Sequence, residues 1–210
     1  MTDSDDSPSR LDGPPSRLSA LVRALALKDE TRTGWQLRGI ADPESVAAHS
    51  WGVAYLTVLF ADEAGVDRDR AVSMAVVHDV AEAETGDWAT RADDTAETYD
   101  AEEKAAAELA VVDDLLTDFA HARELWHEYE SRNSPEARFV KDMDLVDMCL
   151  QAVVYEREKR YQPGASDAFE EYDHLDEFFA TAEPRLRTDL GRELFDAAKA
   201  AYEDVRTQSS

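Results

Sequence analysis

This chain of 210 residues carries a single cysteine, Cys149. One thiol excludes an intramolecular disulfide and any zinc site built on cysteines. Cys149 falls in an apolar helical stretch, so it reads as a small buried core residue. Long hydrophobic runs are missing as well. No uninterrupted apolar run reaches the roughly 18 residues that a membrane-spanning helix needs. Basic side chains are scarce: 22 Lys and Arg stand against 47 Asp and Glu, for a net charge of −25. Lysine occurs only at Lys28, Lys104, Lys141, Lys159 and Lys199. Such a surface repels nucleic acid polymers and anionic membranes, so neither is an expected partner. It would repel a nucleotide phosphate too, except that high salt shortens the Debye length to about 3 Å at 1 M. The charge balance therefore predicts a halophilic protein with a hydrated carboxylate surface, rather than an ordinary acidic one. The opening residues Met1 to Asp6 are acidic and polar, unlike a secretory leader, which makes a cytoplasmic location the expectation.

What is present is enough apolar material, 43% of residues, for one core without crosslinks. Pro8, Gly13, Pro14 and Pro15 lie among Asp and Ser, so residues 1–16 read as a disordered acidic tail. Residues 17–206 then read as one domain. Ser16 or Ser19 can cap a first helix to about Asp29, with Leu18, Leu21, Val22 and Leu25 on one face. Residues 31–35 read as a loop. Asp42-Pro43-Glu44 has the form of a helix start, and the helix runs to Ala64 with Gly65 as its stop. Asp67 caps the next, which is expected to continue to Gly86. Further helices are predicted over about 98–116, 119–131, 135–160, 166–180 and 184–205. Pro163-Gly164 breaks the chain between the third and fourth of these. No segment alternates with period two. The predicted class is all-α, a single compact multi-helix bundle.

Four residues stand out. His49 lies on the second predicted helix, the adjacent His78 and Asp79 on the next, and Asp144 on the long helix opened by Ser134-Pro135. Each is a good ligand for a divalent cation. Val76-Val77-His78-Asp79-Val80-Ala81 sets two ionisable groups in an apolar run, where unpaired charge is costly. Lys141-Asp142-Met143-Asp144 enters another. Helical spacing cannot choose between Asp142 and Asp144. Glu82, one turn beyond His78 and Asp79, shares their face. His121, His127 and His174 sit in polar contexts without matching partners. Trp51 and Tyr55, four apart, read as core. The Asp93-Asp94 and Asp113-Asp114 pairs read as solvated faces.

The ordered series His…His-Asp…Asp resembles the HD-domain metal-dependent phosphohydrolases. Arg32-Thr33-Gly34-Trp35, Pro43 to Ser50, His78 to Asp87, Glu128-Tyr129-Glu130, Glu136 to Lys141 and Asp144 are similar to the branch holding the YfbR-type 5′-deoxynucleotidases and HD domain-containing protein 2. The resemblance implies one divalent ion (Mn, Co, Fe, Zn or Mg) on His49, His78, Asp79 and Asp144. It further implies hydrolysis of nucleoside 5′-monophosphates, deoxy sugars preferred, by a homodimer. It favours Asp144 over Asp142. Glu82 or Asp87 would handle the proton of the attacking water or the leaving 5′ oxygen. Arg32 can grip phosphate and Trp35 stack on or pack beside the base. Relatives often carry an acid where Ala48 stands, which removes a carboxylate from beside His49.

Two other readings remain open: the same centre acting on a phosphodiester, triphosphate or alarmone, and a non-catalytic nucleotide-binding or scaffold protein. A triphosphate would ask for several converging basic groups, of which the sequence near the motifs offers few. The halophilic reading predicts that melting temperature rises with KCl. Greatest stability below about 0.2 M, where charge repulsion is only partly screened, would remove it.

Overall fold

The computed structural model describes residues 17–90, 100–162, 164 and 172–208. The tail expected over 1–16 and the Asp93-Asp94 pair lie outside the described residues. Ser45, Asp67, Asp100 and Ser134 each adopt extended backbone and accept a hydrogen bond from an N–H of the turn that follows. This satisfies donors that a helix start leaves free. They open α3 (Val46–Ala64), α4 (Arg68–Val77), α6 (Ala101–Leu115) and α8 (Pro135–Glu158). Ahead of them come α1 (Arg17–Ala24), a 3₁₀ turn (Leu25–Lys28) and α2 (Thr33–Leu37). The rest are α5 (Glu82–Thr85), α7 (Ala120–Ser131), α9 (Asp176–Ala182) and α10 (Asp189–Gln208). Among the described residues there is no strand, only an antiparallel bridge between Thr31 and Ser45. The all-α expectation holds.

The axis of the bundle is α8, which packs against α3, α4, α7, α9 and α10. Phe139, Val140, Met143, Val146 and Cys149 of α8 lie in one core with Met74, Leu125 and Phe195. Burying a large apolar side chain of this kind stabilises by about 1.5–3 kcal/mol. Burial also pushes the Cys149 thiol up, which keeps it protonated and inert. A smaller cluster of Ala20, Val80, Val112, Leu115 and Trp126 joins α1, α6 and α7.

Several local expectations are corrected. The third helix begins at Val46 under Ser45, not at Pro43. Asp42 takes a left-handed backbone (φ 51°), and the segment before Ser45 is tied to Thr31 instead. The next helix does not run through to Gly86: it ends at Val77, turns at His78–Ala81, and resumes as α5. Residues 33–35, expected as loop, start α2. Trp51 and Tyr55 are not core; they are 69% and 50% exposed and stack on each other at 5.3 Å. Leu18, Leu21, Val22 and Leu25 are exposed as well. His174 does have partners, Glu156 at 3.0 Å and Tyr161 at 2.7 Å. The helix expected over 166–180 is described only from Asp176 to Ala182.

Asp142 has a structural task. It is fully buried, and its carboxylate accepts the N–H of Arg187 (3.0 Å) and of Thr188 (2.7 Å) and the Thr188 hydroxyl (2.6 Å), just ahead of α10. Gly191 makes the room: a Cβ there would lie 2.3 Å from Asp142 Oδ2. Asp142→Ala is expected to lower unfolding free energy by roughly 2–4 kcal/mol, because it strands buried donors. Urea titration measures this, and a loss under about 0.5 kcal/mol would deny Asp142 that anchoring role.

Candidate metal centre

Three helices and one turn bring the centre together. His49 sits in the first turns of α3, fully buried. Its Nε2 lies 3.1 Å from Asp144 Oδ1 and 3.8 Å from Asp79 Oδ2. His78 follows the last residue of α4 and is 2% exposed. Its Nδ1–H donates to the Ala75 carbonyl at 2.8 Å, which turns Nε2 toward Asp79 Oδ2 at 3.1 Å. Asp144, from α8, has one oxygen already engaged: Oδ2 accepts from the Tyr129 hydroxyl (2.8 Å) and from Lys141 Nζ (2.7 Å). Oδ1 is left facing the imidazoles. Ligand atoms of His49, His78 and Asp79 all fall within 4.8 Å of one another.

The donor set fits a cation. His78 Nε2, Asp79 Oδ2 and Glu82 Oε2 are buried and have no hydrogen-bond partner. Buried polar atoms without a hydrogen bond cost about 1–3 kcal/mol each, and a cation shared among these three would offset that cost beyond what Arg32, 3.6 Å from Asp79, supplies. Two imidazoles with two carboxylates suit a first-row divalent ion and leave positions open. Electrostatics agree. Burial opposes charge on Asp79 and Asp144, yet the nearby imidazoles, with Lys141 at Asp144, hold both carboxyls below the usual range. Burial and Arg32 work against a proton on His49, but its hydrogen bonds to Asp144 and Asp147 prevail and raise it to about 10. An imidazole ligates a metal only in its deprotonated form, so metal uptake here would strengthen as pH rises.

Glu82 opens α5 beside this cluster, 5% exposed. Burial, with Asp79 and Asp87, pushes its carboxyl well above the usual carboxylate range. Gly86 reverses the chain with φ 74° and ψ 166°, which folds Asp87 back. Asp87 Oδ2 accepts the Thr33 N–H at 2.5 Å, and Oδ1 lies 3.8 Å from Arg32 Nη1. Arg32 also reaches Asp79 at 3.6 Å. Trp35 is 1% exposed, stacked on Phe178 at 3.9 Å, with its indole N–H given to Glu44 at 2.9 Å. It forms part of a cavity wall rather than a free platform.

Two cavities flank the centre. One of about 180 Å³ is walled by Trp35, Trp88, Met148 and Phe178, with Arg32 and Asp87 at the metal side. The other, about 360 Å³, runs past His78 and Tyr129 toward Glu108 and Arg132. Lys104, Lys141 and Arg185 line both, so basic groups are more numerous than the motif segments indicated.

The sequence profile of the HD domain matches residues 24–184. The chain belongs to the HD domain family. It is 37% identical over 161 residues to human 5′-deoxynucleotidase HDDC2, covering 75% of this chain and 76% of that protein. The Xenopus laevis protein of the same name is 40% identical over 147 residues, 68% of this chain and 70% of its own. Among solved structures, the PH0347 protein from Pyrococcus horikoshii superposes with TM-score 0.67 at 32% identity, over 89% of this chain and 98% of that one.

The predicted site residues thus stand together, with Asp142 turned away. Sequence reading missed Asp147, Trp88, Phe178 and Arg185 and assigned Tyr129 no role. Asp147 had a usable signal: like Asp144, it is a charge inside the apolar run of α8. Phe178 and Arg185 come from segments far along the chain and carried none.

Proposed function

We propose that this chain hydrolyses nucleoside 5′-monophosphates to nucleoside and phosphate, deoxy sugars preferred. His49, His78, Asp79 and Asp144 would hold one divalent ion. The observation that carries the reading is the set of orphaned atoms on His78, Asp79 and Glu82 beside an aromatic cavity rimmed by Arg32. The deoxynucleotidase names of the human and Xenopus relatives supply the substrate class.

When bound, the ion supplies positive charge against the phosphoryl oxygens and a water of lowered pKa. The chain's own groups do the rest. Arg32 offers two parallel N–H bonds to phosphate. Glu82, whose carboxyl is pushed above the usual range by burial and by Asp79 and Asp87, would give a proton to the departing 5′ oxygen. Asp87 restrains Arg32 and the start of α2. Trp88, Met148 and Phe178 offer apolar walls to the nucleoside. A substrate with more than one phosphate is the second reading, drawn from Lys104, Lys141 and Arg185 along both cavities.

No helix among the described residues is long and apolar enough to cross a membrane. The net charge of −25 is what supports our reading of a cytoplasmic enzyme that avoids nucleic acid and anionic membranes. The homodimer has a candidate face. Trp51, Tyr55, Val58 and Leu59 stand exposed on successive turns of α3, on the face away from the buried Val53, Leu56 and Thr57. A contiguous apolar strip of this kind is suited to a second copy.

Phosphate release from ribo- and deoxyribonucleoside mono-, di- and triphosphates, in high KCl with each metal restored, is expected to favour deoxynucleoside monophosphates. Glu82→Ala is expected to retain metal and lose about a hundredfold or more in turnover. Near-wild-type turnover in that variant would exclude Glu82 from proton transfer. Leu59→Arg is expected to sediment as a monomer where the parent is dimeric; an unchanged dimer would move the interface elsewhere.

A further inference from the structure

His49 is held from both sides. Its Nε2 faces Asp144 and Asp79, while its Nδ1 lies 2.7 Å from Asp147 Oδ2. A neutral imidazole has one N–H and one lone pair. With the N–H given to Asp147, the lone pair on Nε2 is directed at the cation position. We propose that Asp147 is a positioning residue for the metal: it fixes the tautomer and ring angle of His49 and strengthens that nitrogen as a donor. The proposal rests on the reading of His49 as a ligand.

Two further observations carry it. Asp147 reaches His49 only because Gly52, one turn further along α3, has no side chain: a Cβ there would lie 2.1 Å from Asp147 Oδ1. Glycine inside a helix costs about 1 kcal/mol relative to alanine, and here the missing atom is the space that the carboxylate fills. The other imidazole is supported differently. His78 gives its Nδ1–H to the Ala75 carbonyl, a neutral acceptor. A carboxylate behind a ligating histidine raises its basicity more than a carbonyl does, and loss of such a partner typically costs about ten- to hundredfold in metal affinity. Glu44 lies close enough to join His49 and Asp147 in one group, but Trp35 donates its indole N–H to Glu44 Oε1.

The test is Co²⁺ affinity by chelator competition, with the Co²⁺ absorption spectrum and the melting temperature of the metal-free protein recorded for each variant. Asp147→Ala is expected to weaken Co²⁺ binding by about ten- to hundredfold and alter the spectrum. Asp147→Asn, which keeps the shape and one acceptor oxygen, should fall between. Gly52→Ala, which crowds Asp147 away without removing it, should weaken binding as well. Binding within about threefold of wild type in Asp147→Ala and Asp147→Asn overturns the proposal, even where the metal-free melting temperature drops, since that leaves Asp147 a packing role only. If Asp147→Ala does not fold, Asp147→Asn decides. Failure of the wild-type protein itself to bind Co²⁺ would instead remove the metal reading on which all this stands.

Discussion

Buried negative charge is the constraint around which this molecule is arranged. Asp79, Glu82 and Asp144 lose most of their water on folding, and protein donors repay only part of it. Carboxylates in that position must find cations or take up protons. The chain does some of each. Lys141 and Tyr129 serve one oxygen of Asp144, a proton is drawn onto His49, and Glu82 is pushed toward its neutral form. The atoms still unserved lie together, in a group of side chains that could hold a metal ion.

One helix sorts most of these charges. Successive residues on α8 turn by about 100°, so acids two and three positions apart leave the axis in different directions. Asp142 points to the start of α10, Asp144 to the imidazoles, and Asp147 to the back of His49. In two of the three cases a glycine on the opposing helix opens the necessary gap, Gly191 for Asp142 and Gly52 for Asp147. Three similar aspartates therefore do three different jobs, and the jobs are set by the angle at which each leaves the helix.

That division explains what could be read from sequence. Helix starts marked by Asp67 and Ser134 were legible because capping is local chemistry, whereas Asp42-Pro43 imitated the cap that Ser45 supplies. Charge in an apolar run singled out His78, Asp79 and the Asp142-Asp144 segment, while the choice of Asp144 over Asp142 came from the family resemblance and not from spacing. Periodicity misread His78 and Asp79 as helical, since a turn that spends the Ala75 carbonyl on an imidazole leaves no trace in hydrophobic spacing. It misplaced Trp51 and Tyr55 because α3 is apolar on both faces, and only packing decides which is covered. The aromatic wall was hidden for a simpler reason: Phe178 meets Trp35 from a helix more than a hundred residues away.

The bridge between Thr31 and Ser45 has a mechanical consequence. Val46 N–H bonds the Glu30 carbonyl at 2.8 Å, and Arg32 N–H bonds the Glu44 carbonyl at 3.1 Å. These two rungs splice the strand-like approach to Arg32 onto the root of the helix bearing His49. The guanidinium and the imidazole are thus mounted on a common bracket, and a tug on one is felt at the other through main chain alone. In the proposed function, grip on the anion and grip on the cation would then depend on the same two backbone hydrogen bonds.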